Sequence, residues 1–164
     1  SHYGVLQTEK VAISSIAVEM TNTTIANTGV KAATIFRTNT KQGNVSLVVK
    51  NCTFYNLFSG EALMRDIIGG TNSFTAENIL FAGSGSVKIF NKTSDAPGII
   101  NGSKIYSSSD LTVANAGEVS TTALSYSSSQ LFPNASSSTD VLDLTFGADI
   151  PNEVKIIGDP RWNK

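Results

Sequence analysis

The stretch Asn51-Cys-Thr-Phe54, which follows the apolar run Leu47-Val-Val, decides the fold because its four-residue pattern returns along the chain. Each copy has Asn or Asp, then a mostly apolar residue, usually Thr, and finally a large apolar residue. The copies begin at Asn22, Asn51, Asn78, Asp110 and Asp143, so that successive intervals are 29, 27, 32 and 33 residues. A period near 30 that drifts by a few residues is typical of stacked coils whose loops vary in length.

Apolar residues alternate with a period of two on both sides of the Asx residue. In the second copy, Leu47 and Val49 precede Asn51, and Cys52 and Phe54 follow it. This is the strand period, so both half-strands are predicted to point their apolar side chains at one interior. The alternation breaks at the Asx itself, which predicts a bend there, because Asn and Asp adopt the left-handed region more readily than other non-glycine residues.

These patterns predict an all-β fold in one domain that spans residues 1–164. The specific prediction is a right-handed, single-stranded parallel β-helix of about five coils. In such a stack the Asn side chains repeat at about 4.8 Å and can hydrogen-bond along the column. A β-propeller would need four antiparallel strands per repeat, and a leucine-rich repeat would need its Leu-rich consensus. Neither pattern is present.

Composition narrows the classes of partner. Charged residues make up 15% of the chain and the net charge is -1, so the sequence offers no basic patch for nucleic acid. No apolar run approaches the roughly 18 residues that a membrane span requires. Cys52 is the single cysteine, which rules out an intramolecular disulfide and a cysteine metal cluster.

The last two copies of the pattern replace Asn with Asp, which leaves two interpretations open. Carboxylates on neighbouring rungs repel each other, so Asp110 and Asp143 could be solvated where the coils separate. Alternatively they could hold a calcium ion together with Asp140, because calcium prefers hard oxygen ligands. The cofactor prediction is therefore none, with calcium as the alternative.

The C-terminal end predicts a cap. Residues 154–157 read as a last strand, and the only Trp of the chain, Trp162, is expected to pack against the open end of the stack. A repeat protein needs such a cap because an uncovered terminal coil is an exposed sheet edge.

The chain resembles a known family in two stretches, LVVKNCTFYNL at 47–57 and IIGDPRW at 156–162. The family is the C-terminal pectate-lyase-like parallel β-helix domain, of unknown function, of secreted or surface proteins from gut Bacteroidetes. The resemblance covers residues 11–162 and implies a location outside the cell, secreted or anchored to the outer-membrane surface. It also implies a role in glycan utilisation as the C-terminal part of a larger protein. It implies no catalytic residues.

Candidate residues for an enzyme are few. The acidic residues are scattered, and the outward positions of the repeat are mostly Thr. The best candidates for a lyase-like activity on acidic glycans are Arg65 and Asp66 with Glu61, on an irregular loop. The alternative for this group is a solvated loop with a local ion pair. We predict no catalytic residue.

Binding requires less of the sequence than catalysis does. Tyr55 follows the inward Phe54 and is therefore expected to point outward. Together with Arg65 and Asp66 of the irregular loop, it is predicted to bind carbohydrate. The expected function is non-catalytic polysaccharide binding at the bacterial cell surface. The expected partners are a polysaccharide and other domains of the same chain. A lyase-like enzyme and a structural or adhesive spacer are the alternatives.

Overall fold

The protein consists mainly of parallel β-strands arranged in two sheets. A computed structural model describes residues 4–8, 15–27, 34–38, 44–57, 60, 62–65, 71–90, 97–114, 119–135 and 141–164. The strands are β1 (Gly4–Thr8), β2 (Ser15–Thr21), β3 (Thr24–Ala26), β4 (Thr34–Thr38), β5 (Asn44–Tyr55), β6 (Ala62–Arg65), β7 (Ser73–Ala82), β8 (Gly85–Phe90), β9 (Ile99–Ser107), β10 (Leu111–Ala114) and β11 (Thr122–Ala123). Two short helices follow, α1 (Ser128–Leu131) and α2 (Asn152–Lys155). The all-β prediction is confirmed.

The chain alternates between the two sheets as it advances. Sheet A has the order β1-β4-β6-β8-β10, and sheet B has the order β11-β9-β7-β5-β2, with β3 also paired to β5. Every pairing is parallel. Each stretch of chain therefore adds one strand to each sheet before the next stretch stacks beside it.

The main core lies between the two sheets. Phe74 of sheet B meets Phe90 of sheet A edge to face at 5.8 Å, and Phe54 and Phe81 stack within sheet B at 5.2 Å. Phe54, Phe74 and Phe81 sit at the predicted inward positions. The inward positions of β5 and β7 are almost fully buried, as expected: Leu47, Val49, Cys52, Phe54, Phe74, Ala76, Ile79 and Phe81.

The predicted Asn bend is present in the first three copies. Asn22, Asn51 and Asn78 have φ of 49°, 50° and 55°. Asn78 Nδ2 donates to Asn51 Oδ1 at 3.0 Å, and Asn51 Nδ2 donates to Asn22 Oδ1 at 3.1 Å. A second, unpredicted ladder runs beside it, in which Asn56 donates to Asn27 at 2.9 Å. The first ladder lies at a bend on either side of which the strand segments remain in register.

The alignment of the last two copies was wrong. The register pairs Ile79 with Ile105, so Lys104, with φ of 53°, takes the bend position that was assigned to Asp110. Asp110 instead immediately precedes β10 in sheet A, and Asp143 lies in a stretch without strand. The pattern search followed the Asx residue, whereas the register follows the buried side chains, and here the two do not coincide.

The predicted C-terminal strand and cap were also wrong. Residues 152–155 form α2, and Trp162 lies in a single 3₁₀ turn at 160–162. Trp162 Nε1 donates to Thr24 Oγ1 of β3 at 2.7 Å, at the opposite end of sheet B from β11. The C-terminal segment (residues 141–164) therefore covers an outer face and does not close the end of the stack.

Candidate functional site

An outer layer, formed by residues 124–135 and 141–164, packs on the outside of sheet B. The outward residues Leu80 and Ala82 are buried beneath it, 0% and 1% exposed. They form a second apolar cluster with Leu131, Phe132, Leu144, Phe146, Ile150, Val154 and Ile157. Sheet B is thus covered on both faces in the part that follows the Asn bend.

Polar contacts attach the C-terminal segment to three neighbouring strands. Gly158 N donates to Asn78 Oδ1 at 3.4 Å, and Asp159 N donates to Thr53 Oγ1 at 2.9 Å. Thr24 Oγ1 donates to Asp159 Oδ2 at 2.8 Å. The outward Thr residues of the repeat therefore form part of the surface on which this segment is anchored.

Asp159 is the centre of this attachment. Its carboxylate is fully buried and pairs with Arg161, whose side chain is 59% exposed. Burial acts to raise the pKa of Asp159, but hydrogen bonds from Arg161 and Thr24 hold that pKa below its ordinary value. The group is therefore a buried, paired carboxylate that fixes the position of the following Trp162.

The attachment leaves an open groove around Trp162. We call it the Trp162 groove; its volume is about 480 Å³, and it is lined by Asn134, Val141, Leu142, Asp143, Thr145, Trp162 and Lys164. The indole ring is half-buried, and Asn134 and Lys164 are exposed. The groove combines an aromatic surface with a carboxylate, an amide and an ammonium group.

Asp143 is held as an ionised acceptor in this groove. Thr145 N donates to Asp143 Oδ1 at 2.9 Å, which fixes the carboxylate over its own backbone. Hydrogen bonds from Thr145, with a smaller one from Asn134, lower the pKa of Asp143. A carboxylate that is ionised at neutral pH accepts hydrogen bonds from hydroxyl groups strongly.

The predicted metal ligands are not brought together as stacked rungs. Asp110 accepts from Ser128 N at 2.9 Å and from Ser128 Oγ at 2.6 Å, and so fixes the start of α1. Asp143 lines the Trp162 groove, and Asp140 lies outside the described residues. Within the described ranges, no group of three His, Cys, Asp or Glu side chains could hold a metal ion. The calcium alternative stays a prediction.

Of the predicted carbohydrate-binding residues, Tyr55 and Arg65 lie on strands of different sheets, β5 of sheet B and β6 of sheet A. Tyr55 does point outward, but its ring lies under the outer layer and contacts Phe132 edge to face at 5.8 Å. Arg65 ends β6, where the register pairs it with Arg37 of β4. Asp66, like Glu61, falls outside the described residues. The role of Tyr55, Arg65 and Asp66 in binding stays a prediction.

Sequence reasoning missed Trp162 as part of a candidate site. The signal was available, because a single Trp next to the charged pair Asp159 and Arg161 is unusual in a chain of such low charge. It was interpreted as a cap for the stack. Asn134 and Lys164 carried no signal, since only the path of the outer layer brings them to the same groove.

No family model, curated protein or solved structure matches this chain. The part of the chain that the structure describes also contains no helix long and apolar enough to cross a membrane.

Proposed function

We propose that this chain is a right-handed parallel β-helix domain of about five coils that binds polysaccharide outside the bacterial cell, without catalysis. The observation that carries the binding proposal is the Trp162 groove. Its volume of about 480 Å³ is within the usual range for ligand sites, and its lining combines an aromatic ring with a few polar groups.

The alternation of strands between the two sheets supports the β-helix. Strand β5 connects through β6 to β7, its parallel neighbour in sheet B, and β7 connects through β8 to β9 in the same way. Such crossovers between parallel strands are right-handed in the great majority of proteins. The resemblance at 47–57 and 156–162 supports the same fold and an extracellular setting.

The chemistry of the groove favours a sugar. A sugar ring presents C–H groups on its faces and hydroxyl groups at its edge. The indole of Trp162 can cover the face, while Asp143 and Asn134 can accept and donate hydrogen bonds at the edge. The groove is open, so a polymer can pass through it and need not end there.

The lining favours binding over hydrolysis. Glycoside hydrolysis generally needs two carboxyl groups on either side of the scissile bond. Among the described residues of the Trp162 groove, Asp143 is the only acidic side chain. The bond from Thr145 and the lowered pKa also suit an acceptor better than a general acid.

Affinity-gel electrophoresis tests this proposal. Native protein would be run through gels that contain galactan, xylan or β-glucan. We expect at least one polysaccharide to retard it. Trp162→Ala and Asp143→Ala should lose most of that retardation, and Trp162→Phe should keep part of it. Asp110→Asn is the matched control, because Asp110 lies outside the groove.

Retardation by none of the polysaccharides would overturn the proposal, and so would equal losses in Asp143→Ala and Asp110→Asn. Circular dichroism of each variant separates loss of binding from loss of folding. Release of reducing ends, or of an unsaturated product absorbing in the ultraviolet, would replace the non-catalytic proposal with an enzymatic one.

A further inference from the structure

A second groove lies between the first Asn ladder and α2. We call it the Lys104 groove; its volume is about 240 Å³, and it is lined by Asn51, Glu77, Asn78, Lys104, Tyr106, Glu153, Ile156 and Ile157. The Trp162 groove shares none of these residues.

Lys104 is the unexpected residue of the first ladder. The register places it one strand beyond Asn78, at the bend position that Asn occupies in the three preceding strands. Its φ of 53° is in the left-handed region, which costs a residue such as Lys more than it costs Asn. Lys also lacks the amide that would extend the ladder to a fourth rung. Lys is therefore less favourable here than Asn, both for the backbone conformation and for the ladder. Its presence indicates a role other than stability.

Lys104 contributes an exposed cation to the lining of the groove. Lys104 is exposed and forms no ion pair with any described residue. Glu77, which also lines the groove, is already paired, because its Oε2 lies 3.7 Å from Lys50 Nζ. Lys104 is therefore the one described cation that lines this groove without a carboxylate partner.

The other groups of the groove limit the ligand class. Glu153, which is exposed and also lines the groove, would repel a compact inorganic anion. A carboxylate of this kind accepts hydrogen bonds from hydroxyl groups, and Tyr106 and Ile156 offer apolar surface. The lining thus suits a molecule that carries one anionic group together with hydroxyl groups on a carbon framework.

We infer that the Lys104 groove binds an acidic saccharide, with the carboxylate or sulfate group against Lys104 and hydroxyl groups against Glu153. The inference is independent of sugar binding in the Trp162 groove. Ligand binding would account for Lys at a bend position where Asn is the more favourable residue.

Isothermal titration calorimetry with acidic and neutral polymers tests the inference. The probes are polygalacturonate, its methyl ester, dextran sulfate and dextran. We expect binding of polygalacturonate or dextran sulfate, and the polymer that binds identifies carboxylate or sulfate as the anion. The neutral polymer of the same pair should not bind. Lys104→Asn should weaken this binding about tenfold, which is the loss expected for one charge-assisted hydrogen bond.

Two comparisons make the test specific. Lys104→Asn should melt a few degrees above the native protein, because Asn accepts the bend and can add a rung to the ladder, so weaker binding could not be attributed to unfolding. Lys88→Asn, in sheet A, removes the same charge elsewhere and should bind like the native protein. Trp162→Ala should also retain this binding.

The inference is overturned if Lys104→Asn binds the acidic polymers as tightly as the native protein does. It is overturned as well if Lys88→Asn weakens binding equally, if the neutral polymers bind equally well, or if no acidic polymer binds.

Discussion

At the scale of single residues, the Asn side chains of the bend do two tasks at once. Asn51 holds a left-handed φ of 50°, donates to Asn22 and accepts from Asn78. A polar side chain on the surface usually contributes little to stability, but here the amide is part of the backbone geometry that keeps two strand segments in register.

Substitution of Asn51 separates the two tasks. Asn51→Ala loses both ladder hydrogen bonds and places Ala in the left-handed region, so we expect a loss of about 2 kcal/mol in the free energy of unfolding. Asn51→Gly loses the same bonds but accepts the bend, so it should be more stable than the Ala variant by about 1 kcal/mol. Urea denaturation measures both. Equal losses would show that the bend does not require a left-handed residue.

Substitution of Gly158 tests how closely the C-terminal segment approaches sheet B. Its φ is +82°, and a Cβ there would clash with Thr53 Oγ1 and lie 3.0 Å from Leu80 Cβ. We expect Gly158→Ala to displace the C-terminal segment and to cost more than about 2 kcal/mol. Gly60→Ala is the matched control, because Gly60 has φ of +86° but nothing lies within 4 Å of the added atom.

Gly60→Ala should lower the free energy of unfolding by only about 1 kcal/mol, which is the cost of placing Ala in the left-handed region. The comparison by thermal and urea denaturation isolates the clash from the conformation. If the two Ala variants are equally stable, the segment does not lie as close to sheet B as described.

At the scale of elements, the C-terminal segment is held by a buried charge. The pKa of Asp159 is lower in the folded protein than its ordinary value, mainly because Arg161 and Thr24 donate to the carboxylate despite its burial. Protons therefore bind the unfolded chain before they bind the folded one as the pH falls. The stabilisation by Asp159 is complete above its unfolded pKa of about 4 and is lost as the pH falls through the lower, folded pKa.

This dependence is measurable by urea denaturation at about pH 7, 5, 4 and 3. The native protein should lose stability steeply below about pH 4. Asp159→Asn should be less stable at neutral pH but should lose less stability on acidification. Some dependence will remain, because Asp110 and Asp143 also have lowered pKa values. If the stability of both proteins fell equally steeply below about pH 4, the result would contradict the role of Asp159.

The comparison between sequence and structure is also clearest for elements. The strands β5 and β7 and their bend were predictable, since each contact involves the alternation of nearby residues and a neighbour about one repeat away. The outer layer was not predictable in this way. Thr53 and Leu80 occupy outward positions and look alike in any local pattern, but both are buried by residues about 50 to 110 positions later.

The candidate sites show the same limit. Asp143 could be selected from the sequence as an acidic residue of interest, but its partner Trp162 depends on where the outer layer runs. Lys104 could not be selected at all, because the bend position was assigned to Asp110 until the register was known. Grooves are built from tertiary contacts, and periodicity reports only the strands beneath them.

At the scale of the whole molecule, the outer layer makes the fold depend on its last residues. A chain that ends before Val141 would leave Leu80, Ala82, Leu131 and Phe132 uncovered. We expect it to keep its parallel strands but to self-associate through this apolar surface. Size-exclusion chromatography with light scattering would detect the association, and circular dichroism would report the strands. A monodisperse, equally stable truncated chain would contradict this expectation.

The bond between Trp162 and Thr24 has a consequence for the time course of folding. Neighbouring strands are close in sequence, so the sheets can assemble progressively while the polypeptide is still being made. The bond joins residues 138 positions apart, so it cannot form until Trp162 has been synthesised. The slowest productive step should therefore be docking of the C-terminal segment onto sheets that are already formed. Until then, the apolar outer surface of sheet B is exposed and accessible to chaperones.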